Sequence, residues 1–249
     1  MSPLLGLLAD LHIHTVASAC AEIEMLPPLI VERALRLGLD VIAITDHNSA
    51  ANVRAVQEAA EGTGLTIWPG MEVQTREEAH MVCLFDRPEQ VEALEQCIEE
   101  HLPPETNPEE FFGVQLVVDA GGEFLRKDAR LRQVACGLPV ERVVALVREL
   151  GGIAIAAHVD RPSYSLLASL GFIPEGLDLA ALEVSQAVPL DQIASKMAQI
   201  ARWPLIRSSD AHTLSRMCAC LRLVVAEPTI DEFEMALRNE ARRAIELLA

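Results

Sequence analysis

Six of the seven histidines in this chain stand at the ends of short apolar runs, each within two residues of an acid or of another histidine. The runs read LLADLHIH, VIAITDHN, IWPGMEV followed by HMVCLF, IAIAAH and LIRSSDAH. A short apolar run buries a strand, and the polar residues just past it lie at the strand's C-terminal end, where barrel enzymes assemble their chemistry. A single strand-end histidine is ordinarily a satisfied core residue. Several that converge with carboxylates, each costly to bury without a partner, point instead to shared cations, because imidazole and carboxylate together suit zinc, iron and manganese.

The spacing carries the same message. His12 and His14 are one residue apart on an extended segment, so both imidazoles point to one side and can grip one ion. Asp210 and His212 repeat that spacing after the last long apolar run, and His47 follows Asp46 at another strand end. Glu72, just past Pro69 and Gly70, is placed to bridge two cations, and His80 and His158 complete the set. These eight candidates exceed what one tetrahedral ion can use. The surplus argues for two or three divalent ions, which a short distance apart clamp the attacking and leaving oxygens of an in-line displacement. Asp10 and Asp46 are expected to hold the far nitrogens of the ligating imidazoles.

The elements that must position these residues alternate. Strand-like runs Leu4 to Ala9, Val41 to Thr45, Leu65 to Trp68 and His80 to Phe85 are interleaved with helical patterns at Leu29 to Leu37, Val53 to Ala60 and Val91 to Ile98. The order resumes with a helix over Glu141 to Leu150, a strand over Ile153 to Ala157, a helix near Leu166 and a strand over Leu179 to Val184. A helix over Gln192 to Ile200, strands Pro204 to Ser208 and Leu221 to Val225, and a helix from Ile230 onward follow. This βαβα progression predicts an α/β fold with a parallel sheet or barrel. Residues from about 101 to 139 break the rhythm with Pro103, Pro104, Gly121 and Gly122, and are expected to form an insertion near the barrel mouth within one 249-residue domain.

Composition narrows the chemistry. A chain that is 51% hydrophobic but only 4% aromatic implies a core of Ala, Val, Leu and Ile, which suits buried parallel strands flanked by helices. The formal charge of −17 opposes stable binding to duplex DNA or anionic lipid, while bound cations would reverse that sign locally for a small phosphorylated substrate or a short nucleic-acid end. Six cysteines without a CxxC pair suggest free thiols in a reducing cytoplasm. No apolar run approaches the roughly 20 residues that cross a bilayer, and MSPLLGLLAD, lacking a basic start, is expected to be the first strand rather than a signal peptide. Nothing resembles a P-loop, a nucleophile elbow or a dinucleotide fingerprint.

The ordered strings DLHIHT, TDHN, PGMEV, the upstream-strand His80, AAHVDRP and SSDAH, spanning Asp10 to His212, resemble the polymerase and histidinol phosphatase (PHP) superfamily of metal-dependent phosphoesterases. The phrasing around CAEIEM, GMEVQTREEAH and HVDRPSYS is similar to a stand-alone bacterial branch. The resemblance implies a distorted (β/α)7 TIM-like barrel with up to three ions at its C-terminal face. His12 and His14 would hold the first ion with Glu72 and Asp210; Glu72 would bridge to a second held by His80 and His158; His47 and His212 would serve a third. Many relatives carry an aspartate where this chain has Ala19. Glu22, Glu24 or Cys20 could substitute from the same loop, and Glu22 is the expected replacement.

Arg161 is the candidate phosphate clamp, since its planar fork matches two phosphate oxygens, against the plainer reading of an ion pair with Asp160. Lys127, Arg126 and Arg130 in the insertion are expected to be a solvated face unless they reach a remote phosphate. The expected reaction is hydrolysis of a small phosphomonoester, a nucleotide or a short oligonucleotide by hydroxide held between cations, with Arg161, Asp210 and His212 beside the reacting phosphate. The rival is a metal-bound regulatory or structural module without turnover. Hydrolysis of a carbon–nitrogen bond is weaker, because no lysine occurs at a strand end.

Overall fold

The computed structural model describes residues 3–196, 200 and 202–248. Seven strands form a ring: β1 (Leu5–Ile13), β2 (Val41–Ile44), β3 (Thr66–Gln74) and β4 (His80–Leu84), then β7 (Ile153–Ala156), β8 (Ala181–Glu183) and β9 (Leu205–Ile206). Beyond β9 the chain returns to the C-terminal half of β1, where His14 N–H donates to the Ala211 carbonyl at 3.0 Å and Ala211 N–H to that of His12 at 3.2 Å. That pairing nearly closes the barrel. The N-terminal half of the same β1 edge pairs with β10 (Leu221–Val225), which is followed by β11 (Ala244–Leu247).

Helices α1 (Pro27–Arg36), α2 (Val53–Ala59), α3 (Pro88–Glu99) and α5 (Val140–Glu149) pack outside the sheet. The reason is legible in α5, where Val140, Val143, Val144 and Val147 line one face at helical spacing. Pro27 and Pro28 open α1 at positions whose amide hydrogens have no helical partner. Short helices α6 (Leu166–Leu170) and α7 (Leu190–Lys196) follow β7 and β8, and α8 (Ile230–Leu237) sets Phe233 against Trp68 among the apolar side chains inside the ring. The helix expected over Gln192 to Ile200 falls partly on 197–199, outside the described residues. The helix expected from Ile230 onward ends at Leu237, because Asn239, Ala241 and Arg242 take left-handed backbone angles before β11.

Three departures from the expected parallel progression matter for function. First, β4 runs antiparallel to both β3 and β7. His80 therefore opens its strand yet lies opposite Gln74 at the end of β3. Second, β3 does not stop at Trp68: it pairs with β2 up to Pro69 and with β4 from Gly70 onward, so Glu72 lies inside the strand rather than after a turn. A Cβ on Gly70 would fall 2.9 Å from the Ile44 carbonyl oxygen, so glycine permits that close approach. Third, β1 continues past Ala9 through His12, and its pairing with β2 shifts register between Asp10 and Ile13. Ala9 and Leu11 belong to the cluster inside the ring, whereas Ile13 packs with the outer one. Strict alternation from Leu11 would turn His12 outward, and the one-residue irregularity turns His12 and His14 to the mouth instead.

The insertion contains α4 (Glu109–Phe112) and a hairpin of β5 (Leu116–Val118) and β6 (Phe124–Lys127). Its two feet are tied where Gly137 N–H donates to the His101 carbonyl at 2.8 Å. Buried Arg132 anchors it, donating to the Asn48 carbonyl at 3.1 Å and pairing with Asp128 and Glu99, while the Asn48 amide donates to the carbonyls of Arg132 and Val134. Lys127 is spent on Glu109, and Arg130 donates to the Leu102 carbonyl.

Candidate metal centre

The site grows from the inward face of the barrel. Leu84, Val82 and His80 on β4 lie opposite Gly70, Glu72 and Gln74 on β3, so the apolar filling of the ring gives way near the mouth to a carboxylate and an imidazole. Glu72, 1% exposed, is the hub. Its Oε1 lies 2.9 Å from His80 Nδ1, 3.2 Å from His158 Nε2 and 3.3 Å from His12 Nε2. Its Oε2 lies 2.9 Å from His47 Nδ1 and 3.5 Å from His14 Nε2. Asp210 Oδ1 stands 3.1 Å from His14 Nε2 and 3.3 Å from His12 Nε2. His212 packs face to face with His14 at 4.1 Å and donates through Nδ1 to the Asp210 carbonyl at 3.0 Å.

Sequence reasoning named these eight residues, and they meet at one end of the barrel. The donor atoms fall into overlapping groups: His12, His14, Glu72 and Asp210; His47, Glu72 and His80; and His14, His47 and His212. The first is the set expected for one ion. In the second, His47 stands where His158 was expected, although His158 faces the same Glu72 oxygen as His80.

Divalent cations fit these donors. His12 Nε2, Glu72 Oε2, His80 Nε2 and His158 Nδ1 are all buried without a hydrogen bond, although His12 Nε2 has two carboxylate oxygens 3.3 Å away. Buried polar atoms are rarely left in that condition, and an ion beside Glu72 would satisfy His12 Nε2 and Glu72 Oε2. His158 and Asp210 also hold left-handed backbone angles, φ +29° and +50°, a strain that persists where surrounding structure fixes a functional geometry.

Burial opposes charge on His12, His14, His47 and Glu72, and its balance with the neighbouring groups decides each outcome. On His12, Glu183, Glu72 and Asp210 override burial and hold its pKa well above the usual imidazole range. For His14 burial wins, reinforced by His212 and His47, and keeps the ring neutral. On His47, Glu72 and Cys20 outweigh burial and raise the value. Glu72 is held well below the usual carboxylate range despite burial, by His80, His12 and His47.

Other expected residues lie elsewhere. Glu22 is exposed, and its carboxylate makes no hydrogen bond among the described residues; only its backbone reaches the site, donating to the His212 carbonyl at 2.9 Å. The loop closes through successive turns at Ser18 and Glu22 that point the Glu22 side chain to solvent. Cys20, from the same loop, lines the mouth of the site, where burial is outweighed by His212 and His47 and its pKa is lowered to about 6. Asp10 does not hold an imidazole: it accepts from the amides of Ser209 and Cys218, and burial raises its pKa to about 6. Asp46 acts at one remove, accepting from Ser18 Oγ, which in turn contacts His14 Nδ1 at 3.0 Å.

The residue that does hold an imidazole was missed. Glu183 at the end of β8 lies 3.1 Å from His12 Nδ1 and accepts the His158 amide at 3.2 Å. A lone acid buried within LAALEVSQ was its only signal. Arg161 pairs with Asp210 through Nη1 at 2.6 Å, not with Asp160, which is taken by Ser185. The mouth opens into a cavity of about 410 Å³ walled by Arg161 and Tyr164, by Phe112, Gln133 and Val134 of the insertion, and by the ligand cluster. Tyr164 stacks on His80 at 4.9 Å and is 50% exposed.

With this geometry in hand, relatives can be placed beside it. The 5'-3' exoribonuclease Rnm of Escherichia coli is 25% identical over 263 residues, covering 86% of this chain and 87% of its own. The protein of the same name from Salmonella typhimurium is 36% identical over 75 residues, 29% of this chain and 25% of that one. Among solved structures, the lesion-specific endonuclease PfuEndoQ from Pyrococcus furiosus superposes with a TM-score of 0.72 at 18% identity, covering 97% of this chain, which spans 58% of that longer one. That likeness is one of fold. No helix among the described residues is long and apolar enough to cross a membrane. Residues 10–122, from the HxH pair through Glu72 to the insertion hairpin, match the model of the PHP domain.

Proposed function

We propose that this protein hydrolyses phosphate esters with two or three divalent cations held by His12, His14, His47, Glu72, His80, His158, Asp210 and His212, and that its substrate is a nucleotide or the end of a short single strand. The observation that carries the reading is Glu72, fully enclosed with five imidazoles within 3.5 Å of its oxygens. Such ions, when bound, lower the pKa of water and neutralise charge gathering on phosphate oxygens.

The chain's own residues supply the rest. Arg161, about two-fifths exposed beside Asp210, offers a fork of donors to a phosphate entering the cavity. Glu183 and the Asp46–Ser18 pair fix the orientations of His12 and His14. Phe112 and Tyr164 give the cavity aromatic walls on which a base can stack, a mode of single-strand binding tolerant of sequence. A relative named as an exoribonuclease supports a nucleic-acid substrate over an unrelated monoester. A charge of −17 disfavours grip on long duplexes.

The test uses the full chain loaded with manganese or zinc, offered single-stranded oligoribonucleotides, oligodeoxyribonucleotides and a chromogenic phosphomonoester. Release of nucleotide or phosphate that stops on chelation and in His12→Ala is expected. An ion-loaded protein that releases nothing, with His12→Ala changing only its melting temperature, establishes the module without turnover instead.

A further inference from the structure

A second cluster of reactive side chains shares no residue with the metal centre. Asp10, Cys218 and Cys220 bring a carboxylate oxygen and two sulfurs within 4.8 Å of one another. The two cysteines are separated by Ala219 alone, just before β10. Their sulfurs stand 2.7 Å apart, and Gln186 Nε2 donates to Cys218 Sγ at 2.7 Å and to Cys220 Sγ at 3.3 Å. Cys220 is buried, whereas Cys218 is partly exposed.

Two chemistries compete for such a group, a bound cation and a sulfur–sulfur bond. A tetrahedral ion with thiolates at about 2.3 Å would hold them roughly 3.8 Å apart, well beyond the approach of these two sulfurs. Asp10 is spent on the amides of Ser209 and Cys218. The buried Arg207 guanidinium, bonded to the carbonyls of Gln186 and Val188, adds a positive charge that disfavours a cation. Sharing a proton across the sulfur contact makes Cys218 the more acidic thiol and Cys220 the less. Exposure, with that asymmetry, selects Cys218 to attack and Cys220 to follow.

We propose that Cys218 and Cys220 form a reversible thiol–disulfide exchange site whose substrate is a small-molecule disulfide. The Cys218 thiolate attacks one sulfur of that molecule, breaking its S–S bond, and forms a mixed disulfide while one thiolate departs. Cys220 then gives up its proton and attacks the Cys218 sulfur, displacing the second thiolate. The protein loses two electrons and two protons, and the small disulfide gains them as two thiols. Asp10 ties the amides of Ser209 and Cys218, so the pair lies at the foot of the loop that carries Asp210 and His212. Its chemistry is independent of the hydrolytic reading.

The test incubates the full chain, stripped with chelator, with glutathione disulfide, then alkylates it and digests it with trypsin for mass spectrometry. The peptide from Met217 to Arg222 contains both cysteines and no other. It is expected to lose two hydrogens, escape alkylation, and regain two alkylatable thiols after dithiothreitol. In Cys220→Ser the mixed disulfide is expected to persist on Cys218, and in Cys218→Ser modification of Cys220 is expected to be lost. A wild-type peptide that stays doubly alkylated while exposed Cys20 is modified, or that keeps glutathione on Cys218 without closing, overturns the inference. Zinc that shields both thiols from alkylation until chelator is added, with no internal link afterwards, assigns the cluster to a cation and overturns it as well.

Discussion

At the scale of single residues, the difference between a ligand and its support has measurable consequences. Glu183 orients His12 from behind, so Glu183→Gln, which keeps an acceptor but removes the charge, should weaken metal binding about 10- to 100-fold with the fold intact. Chelator competition against the purified variant reads this directly. An affinity equal to wild type would show that His12 needs no such partner.

Protonation gives a second residue-scale prediction. Glu183, Glu72 and Asp210 raise His12 above 6.5, and Glu72 with Cys20 raises His47, so both rings carry protons that an arriving ion must displace. Loading should therefore release protons and tighten with rising pH, detected by calorimetry in buffers of different ionisation enthalpy. The metal-free protein should behave oppositely. The stabilisation from a raised histidine is fully present below pH 6.5 and lost as pH climbs through the folded value, so its melting temperature should fall over that range. Net proton release of zero would contradict the protonated state of these rings.

The eight clustered residues were legible because each stands beside an apolar run, where burial of the run fixes the place of its polar neighbour. Glu183 was not, because an acid inside a strand looks like any interruption of it until the opposite wall of the barrel is known. Glu22, Glu24 and Cys20 share one loop, and sequence does not say which side of a tight loop faces inward.

At the scale of elements, the period-2 pattern of His80 to Phe85 identifies a strand but not its direction, and the reversal of β4 follows from pairing with β3 through a short turn. The bulge in β1 is equally silent in sequence, since it depends on the register against β2. The hairpin of β5 and β6 was read only as irregular insertion, for its residues are mostly exposed and carry little alternation. The contact between that insertion and the Cys20 loop yields a prediction. Gly113 has φ +98° with ψ −179°, and a Cβ there would lie 2.3 Å from the Ala19 carbonyl oxygen. Gly113→Ala should cost about 1–3 kcal/mol from backbone strain alone, more with the clash, and should raise hydrogen exchange in residues 15–25. Urea unfolding measures the first and exchange mass spectrometry the second; wild-type values in both would remove the coupling.

At the scale of the whole molecule, an acidic chain gathers six histidines and Asp210 around one enclosed carboxylate, so cations bound there would act as part of the core. Each ion present at a thousandfold excess over its dissociation constant contributes about 4 kcal/mol. Stripping the metals should therefore lower the melting temperature by many degrees, with recovery on adding zinc or manganese, followed by calorimetry. An unchanged melting curve would mean that the cluster holds together without them.

The tie between Gly137 and His101 joins the two ends of a long excursion whose flanking helices descend to the base of the barrel on either side. The segment roofs the cavity with Phe112, Gln133 and Val134 yet contributes none of the proposed ligands, while Gly113 and Arg132 brace the loops beneath it. Rewriting the roof at Phe112, Gln133 and Val134, outside those two braces, would reshape the entrance while leaving every proposed ligand in place.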